Sequence, residues 1–340
     1  MLPGHHRSPR LAPLRWLIVP LVAILLATAV EVPRIAPTLG QPQDPQSLNT
    51  SGAGGGSGNG AAASQLGDPL ALREYRSGQY SWLWRVSLPQ NRLVLYYGNP
   101  LSPVLGPIGR YDDPELVSRL RAQAAVYARL DPAHPPIAGF DYVSPVAQPD
   151  PQKDGTYTRR MDDASIRHYI ELARQNHLLF FFDLQIGHST VAREIDALWP
   201  YIQLPWVNVA LDPEFDMAPG DIPGVEFGRM YAKEINAVID RLSELTISQD
   251  LPSKMLILHW FRPGLIVDWQ NVKLKPGVSV ITSDDGVGPP GPKIDDYNLY
   301  DKAYLIQYPG IKIFYELDKP VMQPEDVVRL DPAPNMVMYQ

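Results

Sequence analysis

The feature that most constrains this chain is a repeated alternation. From residue 92 onward, short apolar runs take turns with amphipathic stretches. The runs read as strands at 92–98, 137–143, 178–185, 206–211, 255–261, 278–283, 311–316 and 335–339. Eight strands separated by helical stretches fit a closed (β/α)8 barrel of the TIM type. The other architecture built from βαβ units is an open doubly wound sheet. The Gly98-Asn99-Pro100 loop behind the first strand lacks the G-x-G-x-x-G fingerprint, so the barrel is the α/β fold expected here.

Four of the intervening stretches carry helix signals. A helix over 114–130 follows Asp113-Pro114, a capping residue and then a proline suited to the first turn. A second, over 164–176, places Ile166, Tyr169, Ile170 and Ala173 on one face, and Ser189 caps a third that runs to about residue 202. The clearest pattern covers 227–245, where Phe227, Met230, Tyr231, Ile235, Val238, Ile239, Leu242 and Leu245 recur at three-four spacing. Weaker helical stretches fall at 263–271, 295–307 and 323–330.

Ahead of this domain the composition changes twice. Residues 1–15 hold Arg7, Arg10 and Arg15 and no acid, and an apolar run from Trp16 to Val30 ends on Ala27-Thr28-Ala29. A basic start, a short apolar run and an A-x-A site describe a secretory signal peptide over 1–30. Counted from Leu11, the run reaches the roughly 20 residues that cross a bilayer, so an uncleaved membrane anchor is the second reading. All three arginines precede the run, which places the rest of the chain outside the cytoplasm, secreted or tethered to the membrane. Residues 31–68 contain QPQDPQ and SGAGGGSGNGAAAS and almost no large apolar side chain, the composition of a disordered linker. The barrel domain then occupies 69–340.

Cysteine is absent, which removes disulfides, thiol nucleophiles and Cys-based zinc sites. With 30 basic and 37 acidic side chains the net charge is −7, so no nucleic-acid partner is expected.

In a barrel of this kind the loops behind the C-terminal strand ends build the active site. Here those ends are rich in acids and aromatics: Tyr96-Tyr97-Gly98, Phe140-Asp141-Tyr142, Phe182-Asp183-Leu184-Gln185, Leu211-Asp212-Pro213-Glu214, His259-Trp260-Phe261, Ser283-Asp284-Asp285 and Tyr315-Glu316. A single acid there is commonly a helix cap or loop residue. Their recurrence around one mouth points to a shared site. Strand alternation puts Asn208, Ala210, Asp212 and Glu214 on one face if Pro213 does not break the strand, and Leu179, Phe181, Asp183 and Gln185 on another. Two carboxyls so placed raise one another's pKa, and the raised one suits a general acid. Tyr97, Asp141, Gln185, His259, Trp260, Asp284 and Glu316 supply hydroxyl-binding and stacking groups. The competing chemistries lack their motifs: there is no H-E-x-x-H, no His-x-His and no G-x-S-x-G. No metal or other cofactor is therefore expected. A metal-dependent hydrolase stays open as a third reading, resting on convergence of Asp141, Asp183, His259 and Asp284.

The ending Val209-x-Leu211-Asp212-x-Glu214 resembles the strand-four signature of family 18 chitinase-like glycosidases. That resemblance implies Glu214 as proton donor and Asp212 as its assistant. It spans residues 207–214, and the two earlier aspartates of the signature are Val207 and Ala210 here. More broadly, residues 92–340 look like an uncharacterised group of exported bacterial barrel proteins. That likeness rests on Leu95-Tyr96-Tyr97-Gly98-Asn99-Pro100, Asp183-Leu184-Gln185-Ile186-Gly187, Leu211-Asp212-Pro213-Glu214, Leu256-Ile257-Leu258-His259 and Asp285-Gly286-Val287-Gly288. The expectation is an extracytoplasmic glycoside hydrolase acting on a polysaccharide or oligosaccharide, with Glu214, Asp212 and Asp183 as its catalytic carboxyls. The runner-up is a non-catalytic glycan-binding or envelope-scaffold barrel.

Overall fold

The computed structural model of the chain describes residues 80–340. The expected signal or anchor (1–30) and linker (31–68), with the first residues assigned to the barrel domain, lie outside the described residues. No helix among the described residues is long and apolar enough to cross a membrane.

Eight strands close into a barrel: β1 (Arg92–Gly98), β2 (Pro136–Val143), β3 (Leu179–Leu184), β4 (Val207–Leu211), β5 (Lys254–Trp260), β6 (Val278–Asp284), β7 (Tyr308–Ile313) and β8 (Met336–Tyr339). Every neighbouring pair is parallel and strand order follows the sequence. Closure comes from β8 lying beside β1, with Leu93 opposite Met336 and Tyr96 opposite Tyr339. The expected (β/α)8 TIM-type barrel is thus the observed fold, and the open sheet is not.

The larger helices are α1 (Asp113–Leu130), α2 (Asp163–Gln175), α3 (Val191–Ile202), α4 (Ala232–Gln249) and α5 (Pro290–Ala303). Their caps differ in detail from the sequence reading. Asp112, not Asp113, caps α1 by accepting from the Glu115 amide, and Thr190, not Ser189, caps α3 by accepting from Arg193. The Ser189 hydroxyl instead donates to Glu194. Helix α4 starts five residues later than expected because Met230 and Tyr231 pair as a short strand with Ile266 and Val267. Its inward stripe of Ile235, Val238, Ile239, Leu242 and Leu245 is buried as the spacing predicts. Between β5 and β6 the expected helix shrinks to a 3-10 turn, Trp269–Asn271.

Alternation along the strands fills the barrel and positions the site. Gly139 of β2 sits where a Cβ would stand 2.8 Å from Leu95 Cδ2 and 2.9 Å from the Leu179 carbonyl oxygen, so only glycine fits in this inner layer. Two residues on, the same inward face carries Asp141 at the C-terminal end. The parallel series Leu179, Phe181, Asp183 does the same on β3 and Met255, Ile257, His259 on β5, all of them buried. An apolar inner core is therefore topped by one layer of ionisable side chains.

Candidate functional site

That layer gathers residues from seven strands or the turns behind them. His259, fully buried, occupies its centre. Its Nδ1 lies 2.8 Å from Asp285 Oδ2 and 3.9 Å from Asp212 Oδ1, and its Nε2 lies 3.7 Å from both Asp141 Oδ2 and Asp183 Oδ2. Asp285 also accepts from the Ser283 hydroxyl at 2.7 Å and pairs with Lys312 Nζ at 3.1 Å. The Lys312 ammonium stands 3.6 Å over the Tyr97 ring. Asp212 accepts from Gln185 Nε2 at 3.1 Å and from the Tyr97 hydroxyl at 3.5 Å. Gln185 is itself fixed, since its Oε1 accepts from the Ala147 amide.

Electrostatics divide these groups into two kinds. Burial, reinforced by the Asp212 charge, pushes Glu214 and Asp183 well above the usual carboxylate range. Asp141 is raised by burial against the opposing pull of His259. Burial would raise Asp285 too, but His259 and Lys312 outweigh it and hold that carboxyl well below its usual range. Burial alone would lower His259, yet Asp285, Asp212 and Asp183 push it well above the ordinary imidazole value. One acid kept anionic beside others driven toward the neutral form is the arrangement by which enzymes separate acid from base roles.

Among the sequence-predicted residues, Tyr97, Asp141, Asp183, Gln185, Asp212 and His259 meet in this layer. Glu214 joins its edge by a different route from the one expected. Strand β4 stops at Leu211, and Pro213–Phe215 forms a 3-10 turn, so alternation does not carry through Pro213. Glu214 is the member that reaches solvent, while its Oε2 is buried without a hydrogen-bond partner.

Three expected residues lie elsewhere. Asp284 is on the outer face of β6, where its Oδ1 accepts from the Gly286 amide. Burial there, against the opposing charge of Lys293, pushes its pKa up to about 7. Trp260 is likewise on the outer face, within 6.1 Å of Trp269 and Tyr300 and 5.1 Å of Tyr304, and its indole donates to the Arg262 carbonyl. Glu316 falls beyond β7, which ends at Ile313. It is exposed and pairs with Arg110.

Lys312 is the functional residue that sequence reasoning misses: the strand ends at Ile313 and not at Glu316, which puts Lys312 at the mouth and not at the strand's start. Its signal was a cation between Ile311 and Ile313, inside an apolar run. Asp285, and not its expected neighbour Asp284, holds the inward position, a difference of one residue in strand phase.

A cleft of about 470 Å³ opens between the loops behind β4 and β5, lined among others by Glu226, Phe227, Arg229, Arg262 and Leu265. None of the buried acids lines it. It adjoins Glu214 through Gly228, whose amide donates to the Glu214 carbonyl at 2.7 Å.

No protein-family model matches the chain, and no curated protein does.

Proposed function

We propose that this barrel is an extracytoplasmic glycoside hydrolase acting on a polysaccharide or oligosaccharide, with Glu214 as its general acid. The observation that carries the reading is the pairing of opposites at one strand-end mouth. Glu214 is driven toward its protonated form beside Asp212 and close to Asp285, which is held anionic. Cleavage of a glycosidic bond needs such a pair: a proton for the departing oxygen and a carboxylate for the charge that develops on the sugar.

In this mechanism Glu214 gives its proton to the glycosidic oxygen as the bond from that oxygen to the anomeric carbon breaks. Asp212, oriented by Gln185 and Tyr97, stabilises the positive charge. Water then adds to the anomeric carbon, and its proton restores the Glu214 acid. Asp183 suits the anionic role less well, because burial and Asp212 favour its neutral form. In the cleft that adjoins the Glu214 backbone, the Arg262 guanidinium lies 4.9 Å over the Phe227 ring, and this stacked pair is a surface on which neighbouring sugar rings can pack. The strand-four resemblance to family 18 glycosidases supports the same assignment, and the basic-apolar start of the chain supports action outside the cytoplasm.

Glu214→Gln keeps the shape of the side chain and removes the proton it donates. Reducing-end release from a panel of bacterial and plant polysaccharides should fall by roughly 10²–10⁴-fold, with glycan affinity little changed. The rate should also fall as pH rises through the elevated Glu214 pKa, since a general acid works only while protonated. That alkaline limb should vanish in the variant. Equal release by both proteins removes Glu214 from the mechanism. Binding without release by either favours a glycan-binding barrel.

A further inference from the structure

We propose that Asp141, Asp183 and His259 Nε2 form a binding site for one first-row divalent cation of the zinc or manganese type, held in the floor of the barrel mouth. The inference does not depend on which bond the protein cleaves. It starts from a contrast between the two sides of the His259 ring.

On the Nδ1 side every carboxylate is engaged. Asp285 takes the ring N–H, the Ser283 hydroxyl and Lys312, and Asp212 takes Gln185 and Tyr97. On the Nε2 side no hydrogen bond is made, and the ring nitrogen meets the two aspartates only at ion-pair distance. Both oxygens of Asp141, both of Asp183 and Nε2 itself are buried and have no hydrogen-bond partner. All three side chains are fully buried, so solvent does not compensate them. Buried polar atoms without partners are rare, and five of them facing one another ask for a shared partner.

Distance distinguishes a cation from a proton in that role. Nε2 is equidistant from Asp141 Oδ2 and Asp183 Oδ2, at 3.7 Å each. A hydrogen bond between nitrogen and oxygen spans about 2.7–3.2 Å, so a ring proton pointed between them bonds to neither. Two ligands each about 2.1 Å from one tetrahedral ion stand roughly 3.4 Å apart, close to the observed spacing. The three ligand atoms all lie within 4.8 Å of one another, near enough for one ion to draw them together with small side-chain shifts.

The ring is also oriented for the purpose. With Nδ1 donating to Asp285, Nε2 is the ring atom aimed at the two aspartates; a metal ion there displaces the Nε2 proton, and a carboxylate behind a histidine is the usual support of a metal-binding imidazole. Asp285 is here a positioning residue, anchored by Ser283 and Lys312. One imidazole and two carboxylates suit zinc or manganese better than calcium, which takes six to eight oxygen ligands. An ion with three protein ligands keeps coordination positions for water or a substrate oxygen.

The test uses the full-length, tag-free protein after treatment with a chelator, titrated with zinc by calorimetry and with cobalt by visible absorption. Wild type should take up one equivalent at this site. Asp141→Asn and Asp183→Asn should each weaken that binding at least about 100-fold, and Asp285→Asn about 10–100-fold. Glu214→Gln should leave it unchanged, so metal binding and glycoside cleavage succeed or fail separately. Folded wild type that binds neither ion overturns the proposal. So do asparagine variants that bind as tightly as wild type, or saturation by calcium without zinc. Should the asparagine variants fail to fold, the wild-type melting temperature decides: it should rise with zinc and return with chelator. No shift overturns the site.

Discussion

Lys254 is a lysine buried at the foot of β5, opposite the mouth. Its ammonium donates to the carbonyls of Leu204 and Val207, each at 2.6 Å. Burial pushes its pKa down to about 7. Between that value and the ordinary lysine value of about 10.4, the unfolded chain holds the proton more firmly than the folded one. Stability from this group therefore rises with pH across that window and levels off above it, by at most about 1.4 kcal/mol per pH unit. Lys254→Met removes the titrating group. In urea denaturation, the stability of wild type relative to the variant should climb as pH rises from about 7 to about 10. A constant difference over that range would show that the amine is not held neutral.

At the level of elements, the helix caps give a prediction that separates adjacent residues. Asp112→Ala removes the acceptor of the Glu115 amide and should cost about 1 kcal/mol in denaturant unfolding. Asp113→Ala removes an exposed pair with His168 and should cost less, well under about 1 kcal/mol. The reverse order would return the cap to Asp113. Such one-residue differences mark where sequence reading reached its limit. Strand positions were legible because continuous apolar runs stand out against their surroundings, and seven of the eight fall within two residues of their observed ends. The seventh differs because the observed strand, Tyr308–Ile313, takes in Pro309 and Gly310, residue types that seldom sit inside strands, and stops three residues before the end of the apolar run. In the barrel, Gly310 is an inward position pressed against Met336 and Ile281. That displacement puts Lys312 at the strand's start, away from the mouth, and takes Glu316 into the strand. On β6 the inward series passes through Ile281 and Ser283 to Asp285, so the acid chosen from sequence, Asp284, faces α5. On β4 the alternation predicted from Asn208 holds to Asp212 and then gives way to the Pro213 turn. The inward acid of β3 was legible because no proline or glycine interrupts Leu179, Phe181 and Asp183, and on β2 Gly139 keeps the inward phase up to Asp141.

For the whole molecule, the disposition of charge follows the direction of the strands. At the N-terminal end the buried cations find most of their partners locally: Arg92 donates from Nε to the Pro334 carbonyl and pairs through Nη2 with Asp131 at 2.9 Å, with only Nη1 left without a hydrogen bond, and Lys254 has its two carbonyls. At the C-terminal end, Asp141, Asp183 and Glu214 keep buried oxygens without hydrogen-bond partners. Such groups are destabilising, so the rest of the barrel must hold them in place. Much of that support depends on closure. Strand β8 supplies the ladder on one side of β1 and of β7, and Tyr339 ties it to α1 through the Tyr127 hydroxyl at 2.7 Å and Gln123 at 2.9 Å. It also stacks on Tyr315 with ring centres 5.1 Å apart. Deleting residues 335–340 leaves β1 and β7 as exposed edges and opens the apolar interior to water. A barrel that folds as one cooperative unit should then lose its sharp thermal transition and its near-ultraviolet circular dichroism, and proteolysis should reach strands far from the cut. Wild-type melting behaviour in the truncated chain would show that the first seven strands stand alone. The mouth would then owe its geometry to local packing and not to closure.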